Sequence, residues 1–264
     1  MGEAQIRGTT LHYQRSGRGP DLLLLHAFPL AGFMWSELAR TLEDIATCVC
    51  PDLRGFGATP PGQGPLTMDE IADDAAALLD LLGIEKAIVS GCSMGGYAAL
   101  AFARRYPARL LGLCLQDTRA GADTAEGRVG RGTLAAKALT EGAAVVADGF
   151  LPRLLGASTA ATRPELRAAL RERIVATSAE GLANGLLGLG LRQDSTPTLA
   201  TLRVPTLVLC GEEDVVTPPA ESEALHRGIA GSRLVLIPRA GHLAALEQPE
   251  AVGKELRELV RSLH

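Results

Sequence analysis

Short, almost uninterrupted apolar runs punctuate this chain, with amphipathic stretches between them. Asp21–His26 holds Leu22-Leu23-Leu24-Leu25, and similar runs recur at Ala46–Leu53, Lys86–Ser90, Leu110–Gln116, Pro205–Cys210 and Leu234–Pro238. A strand that is apolar on both alternating faces must be buried on both, the condition of an inner strand in a parallel sheet. Helical periodicity falls between these runs. Thr67-Met68-Asp69-Glu70 is a capping box, followed by Ile71, Ala75, Leu78, Leu79 and Leu82 on one helical face, and Gly83 closes the helix. Met34–Leu42, Met94–Tyr106, Pro219–Ile229 and Pro249–Leu263 also read as helices. Such alternation predicts an α/β fold: a mostly parallel sheet flanked by helices on both faces. Only Glu3–Gly8 and Thr10–Arg15 alternate polar with apolar, and they read as an antiparallel hairpin turning at Gly8-Thr9.

The strand pattern lapses over residues 119–198. Ala135–Leu139, Pro164–Ala176 and Ala179–Leu191 look helical, separated by Gly127, Gly130, Gly132, Gly149, Gly156 and Gly181. The segment reads as a helical cap inserted between core halves 1–118 and 199–264 of one domain spanning 1–264. Its expected place is over the carboxyl ends of the strands, where open α/β sheets bind ligands.

Composition narrows the partners. Of 264 residues, 47% are hydrophobic, enough to bury a large core, which excludes a disordered chain. Lys and Arg number 26 against 30 acids, a net charge of −4, so neither nucleic acid nor an anionic membrane is an expected partner. The longest apolar run, Leu22–Trp35, is too short and too broken by His26, Pro29 and Gly32 to span a bilayer. The five cysteines are an odd count, each in or beside an apolar stretch, and read as buried free thiols rather than disulfides or metal ligands. With no signal-peptide pattern at Met1–Ile6, the expected location is cytoplasmic.

The chemistry centres on Ser90-Gly91-Cys92-Ser93-Met94-Gly95-Gly96, which follows one predicted strand and opens the next helix. A serine hydroxyl is a weak nucleophile that needs exposure and an adjacent base. A tight strand-to-helix turn lifts Ser93 clear of the sheet, and the new helix aims its free N–H groups at developing negative charge. Among the histidines, His12, His226 and His264 read as surface or core residues and His26 as a loop-holding one. His242 follows the last strand run and lands at the same sheet edge as Ser93, where an imidazole can act as base and then acid. The histidine needs an acceptor on its other nitrogen. Asp214, just past the Pro205–Cys210 run, is preferred, and Asp117, at the end of Leu110–Gln116, competes with it. Oxyanion donors are expected from the backbone N–H of Met94 and of Phe28. The Phe28 side chain either lines the acyl pocket or simply packs.

These segments together resemble the α/β-hydrolase superfamily, over nearly the whole chain. His26-Ala27-Phe28-Pro29 is similar to its oxyanion loop, although alanine stands where glycine is more usual. Asp52-Leu53-Arg54-Gly55-Phe56-Gly57 resembles the turn after the next strand, Gly91–Gly96 the nucleophile elbow, and Gly211–Asp214 and Gly241-His242 the acid and histidine loops. The resemblance implies a catalytic serine with an aspartate and a histidine. With Ser93 as nucleophile, it argues against the dehalogenase and epoxide-hydrolase branches, which use aspartate there. Gly188–Asp194 looks most like the branch of 3-oxoadipate enol-lactonases and small carboxylesterases.

The expected function is cofactor-free and metal-free hydrolysis of small carboxylic esters or lactones through an acyl-serine. Two alternatives stand beside it: the same triad used for perhydrolysis or carbon–carbon bond hydrolysis, and a hydrolase-fold receptor that turns over little. Residues 119–203 carry ten arginines and one lysine against eight acids, so an arginine facing the pocket could receive a carboxylate-bearing substrate. The competing reading is a salt-bridged helix surface including Arg167, Arg171 and Glu172. Asp194 reads as a tether between cap and core.

Overall fold

The computed structural model describes residues 1–263; His264 lies outside them. Eight strands form one sheet: β1 (Gly2–Ile6), β2 (Thr9–Gly17), β3 (Asp21–Leu25), β4 (Thr47–Pro51), β5 (Ala87–Cys92), β6 (Leu110–Gln116), β7 (Thr206–Gly211) and β8 (Arg233–Ile237). Their spatial order is β1-β2-β4-β3-β5-β6-β7-β8. β2 runs antiparallel to β1 and β4, and every pairing from β4 onward is parallel. The hairpin turns one residue earlier than expected, at Arg7-Gly8. Both residues have positive φ (42° and 76°), the two-residue turn that matches strand twist.

The core helices are α1 (Ser36–Leu42), α2 (Met68–Leu81) and α3 (Met94–Arg105). The capping box is real at its first half: the Thr67 hydroxyl accepts from Glu70 N–H at 3.1 Å. After β6 come α4 (Ala125–Glu141), α5 (Ala144–Leu154), α6 (Ala157–Thr162), α7 (Pro164–Val175) and α8 (Ala179–Gly190). The short α9 (Thr196–Leu199) leads into β7, and α10 (Pro219–Gly228), α11 (Ala244–Glu247) and α12 (Pro249–Arg261) complete the chain.

Alternation along β3 divides the core. Leu23 and Leu25 face the layer of α2 and α3, and Leu22 and Leu24 face the layer of α1 and α12. All four leucines have no exposed surface, and burial of each contributes about 1.5–3 kcal/mol. The five cysteines are free and buried; Cys48 and Cys50 share the α1 face, and burial pushes the Cys48 thiol up to about 12. β8 departs from its reading as a buried strand. It is the sheet edge, and most of its residues are half-buried.

The segment between β6 and β7 also differs in detail. Gly127, Gly130 and Gly132 are not breaks but lie inside α4, and Gly149 lies inside α5. Each glycine weakens a helix by about 1 kcal/mol. α4 nevertheless forms, because Thr124 caps it through Gly127 N–H at 3.1 Å and Ala135 and Ala138 are buried. Gly181, Gly185 and Gly188 fall on one face of α8 and let it lie on the loops that follow β4. A Cβ at Gly181 would stand 2.1 Å from Gly55 O, and one at Gly188 1.7 Å from Leu66 O. The two ends of the segment are joined where Ser195 N–H donates to Ala120 O at 2.9 Å. Among the described residues no helix is long and apolar enough to cross a membrane.

Candidate active site

Ser93 sits between the end of β5 and the start of α3, with φ 53° and ψ −111°. A serine held there carries about 1–3 kcal/mol of backbone strain, which the surroundings must impose. They do so through tight backbone packing. A Cβ at Gly91 would lie 2.0 Å from Gly95 O, and one at Gly95 1.9 Å from Leu25 O. Ser93 N–H donates to Gln116 O at 2.9 Å, while Ser93 O accepts from Tyr97 N–H and the Thr118 hydroxyl, each at 3.0 Å. The serine side chain is thereby presented at the carboxyl edge of the sheet, half-buried, while His242 and Asp214 are buried.

The structure brings Ser93, His242 and Asp214 together. His242 Nε2 is 2.8 Å from Ser93 Oγ, and His242 Nδ1 is 2.9 Å from Asp214 Oδ2. With Nδ1 donating to the carboxylate, Nε2 is free to accept the seryl proton. Asp214 is itself fixed: Oδ1 accepts from Val216 N–H at 2.8 Å and Thr217 N–H at 3.0 Å, and Oδ2 from the Thr217 hydroxyl at 2.8 Å. Burial would push this carboxyl up. The hydrogen bond and charge of His242, with the Thr217 donors, outweigh burial and hold it below the usual carboxylate range.

Asp117 does not reach the histidine ring. Its Oδ1 accepts from Gly211 N–H at 2.8 Å and its Oδ2 from Ala244 N–H at 3.2 Å, so it clips the acid loop to the histidine loop. Burial and the neighbouring Asp214 charge push it up to about 7. Asp117, Cys210 and Asp214 place potential ligand atoms within 4.8 Å of one another. Those atoms are already engaged: the Cys210 thiol faces the carbonyls of Gly211 and Thr217, and both carboxyls hold N–H donors.

The Phe28 loop lies against the start of α3, since the same Cβ at Gly95 would also come within 2.9 Å of His26 O. Among the described residues neither Phe28 N–H nor Met94 N–H donates to another group. The Phe28 ring packs. It meets Phe150 of α5 at 5.1 Å and Phe56 at 5.8 Å, both edge-on, and is 3% exposed. His26 holds the loop from behind. Its Nδ1 donates to Ala27 O and its Nε2 accepts from Leu53 N–H, each at 3.0 Å, and burial lowers it to about 4, so it stays neutral.

The arginines between β6 and β7 are largely committed elsewhere. Arg119 and Arg192 meet Asp123 at 2.8 and 2.7 Å, Arg131 also pairs with it, and Arg171 pairs with Asp148 rather than Glu172. Asp194 is no tether. Its Oδ1 makes a local turn contact, accepting from Thr196 N–H at 2.9 Å and the Thr196 hydroxyl at 2.6 Å, and the link to the core edge falls instead to Glu213, which accepts from Ser158 N–H at 2.8 Å. Sequence reasoning missed Asp52, whose two oxygens accept from Gly32 N–H at 2.8 Å and Ala58 N–H at 2.9 Å behind the Phe28 loop. Its sequence signal was its place at the head of the Asp52–Gly57 turn motif, in which the carboxylate had been given no role.

Residues 20–249 match the family model for the alpha/beta hydrolase fold. The chain belongs to the α/β-hydrolase family. Its sheet and helices superpose on a thermophilic esterase from Thermogutta terrifontis with TM-score 0.95 and 42% identity, covering 99% of this hydrolase and 97% of that chain. The enol-lactonase from Burkholderia xenovorans superposes with TM-score 0.92 and 31% identity, covering 98% of this chain and all of that one (100%). A 3-oxoadipate enol-lactonase of Acinetobacter baylyi is 28% identical over 253 residues, covering 95% of this chain and 93% of that protein.

Proposed function

We propose that this hydrolase cleaves small carboxylic esters or lactones through an acyl-serine intermediate. The observation that carries the reading is the continuous relay from Ser93 Oγ through His242 to Asp214, with links of 2.8 and 2.9 Å. Ser93 attacks the carbonyl carbon while His242 Nε2 takes its proton. The oxyanion is received by the unengaged N–H groups of Met94 and Phe28, each such donor stabilising the transition state by about 3–4 kcal/mol. As the carbonyl reforms and the C–O bond breaks, His242 protonates the leaving oxygen, which departs as the alcohol of an ester or stays tethered to the acyl chain as the hydroxyl of an opened lactone. Water deprotonated by His242 attacks the acyl-serine, and the carboxylic acid and free Ser93 are regenerated.

Residues 119–198 act as the cap, excluding bulk water and shaping the space over Ser93. The named relatives, an esterase and enol-lactonases, support a small ester or lactone as substrate. The five buried thiols fit a reducing cytoplasm. A fluorophosphonate probe, followed by peptide mapping, tests the reading together with a panel of p-nitrophenyl esters and small lactones. The expected result is one label on Ser93, hydrolysis across part of the panel, and loss of both in Ser93→Ala. Turnover that survives Ser93→Ala would refute it.

A further inference from the structure

Glu247 ends α11, five residues after His242, and is 2% exposed. A buried carboxyl is costly unless its oxygens find donors, and here the donors are backbone N–H groups from two separate loops. Oε1 accepts from Gly241 N–H at 2.8 Å and from Leu243 N–H at 3.3 Å, the residues on either side of His242. Oε2 accepts from Gly156 at 2.9 Å, in the cap segment that enters α6. Cap and histidine loop touch backbone to backbone there. A Cβ at Gly156 would lie 2.7 Å from Gly241 N, and one at Gly241 2.3 Å from Gly156 N. The Arg163 guanidinium donates to the main-chain carbonyl of Glu247 at 2.6 Å, which ties the same helix end to the cap a second time.

We propose that Glu247 is a positioning residue that sets the aim of His242 and couples it to the seating of the cap. The proposal rests on the reading of His242 as the base for Ser93. The peptide plane that follows His242 carries Leu243 N–H and the plane before Gly241 carries Gly241 N–H, so one oxygen of Glu247 anchors the loop on both sides of His242 and limits where its side chain points. The second oxygen is committed to the cap, so a displacement of Gly156 pulls on the group that orients the imidazole. Misplacement of a reacting group by about 1 Å costs roughly 100-fold in rate, so a small tilt of the ring is felt in turnover.

Glu247→Gln keeps the shape but turns one acceptor into a donor, so one of the two sets of N–H bonds must break. The expected signature on p-nitrophenyl acetate is a kcat lower by about 10- to 100-fold with KM nearly unchanged. The downfield proton resonance of the His242–Asp214 hydrogen bond shifts with it, a change that a merely structural role would not produce. Gly156→Ala, which pushes the cap against Gly241 from the other side, gives the same signature and adds little on top of Glu247→Gln, because both break one link. Unchanged kcat and resonance in Glu247→Gln would overturn the proposal. Should that variant fail to fold, an unmoved resonance in Gly156→Ala overturns it. Wild-type protein that the fluorophosphonate leaves unlabelled overturns the hydrolase reading and this inference together, whereas a labelled wild type with an indifferent Glu247→Gln overturns the inference alone.

Discussion

The serine turn and the histidine loop meet across 2.8 Å, yet they are held by opposite means. The turn around Ser93 is fixed by exclusion: Gly91 and Gly95 bring backbone so close that no side chain fits, and the strained serine has nowhere to relax. The loop around His242 is fixed by attachment. Its N–H groups at Gly241 and Leu243 hang on Glu247, and that at Ala244 hangs on Asp117. Steric exclusion is unforgiving of added atoms and indifferent to charge, whereas attachment to carboxyls responds to charge and to pH.

Replacing the acid tests the attached side most severely. Asp214→Asn leaves the shape but favours the wrong histidine tautomer, so kcat on p-nitrophenyl esters is expected to fall about 10⁴-fold. Asp117→Asn, which does not touch the ring, is expected to leave most of the activity; equal losses would show that Asp117 is the working acid. On the excluded side, Gly95→Ala drives a methyl into Leu25 O and is expected to destabilise the fold by about 3 kcal/mol, read from urea unfolding. Free tolerance of that alanine would show that the turn is not held by packing.

The next prediction is a pH dependence. Asp117 sits at about 7 in the folded protein, against about 4 in an unfolded chain, so over that window the folded state binds more of the proton. Its contribution to stability is therefore full below about 4 and is lost as pH rises through about 7. Asp117→Asn removes that loss. Urea midpoints should decline less steeply from pH 4 to pH 7 in the variant than in the wild type, and parallel curves would contradict the assignment. The smallest effect belongs to Asp194→Ala, which loses the two local hydrogen bonds to Thr196 and is expected to cost about 1 kcal/mol in urea unfolding with unchanged kcat.

The same contrast explains what the sequence made legible. Exclusion leaves a local signature, glycines at 91 and 95 around Ser93 after an apolar strand run, and could be read directly. The apolar runs located β3 to β7 for the same reason, because burial on both faces demands an unbroken pattern. Attachment leaves almost none. Glu247 looks like any acid until the chain brings Gly156 beside it, and Asp117, singled out by its strand end as a competing acid, shows its clipping role only once Gly211 and Ala244 lie beside it. The edge position of β8 was hidden because an apolar run does not say whether both faces are covered. α4 was missed in part because the glycines that weaken it locally are outweighed by a cap at Thr124 and two buried alanines.

The most direct measurement is the fate of the acyl group. Rapid acid quench during turnover of a p-nitrophenyl ester, followed by mass spectrometry, should find one acyl group per chain on the peptide carrying Ser93, formed in step with a burst of p-nitrophenol. An acyl group on any other residue, or turnover with no covalent adduct in wild type and in slowed His-loop variants, would contradict the relay from Ser93 to Asp214.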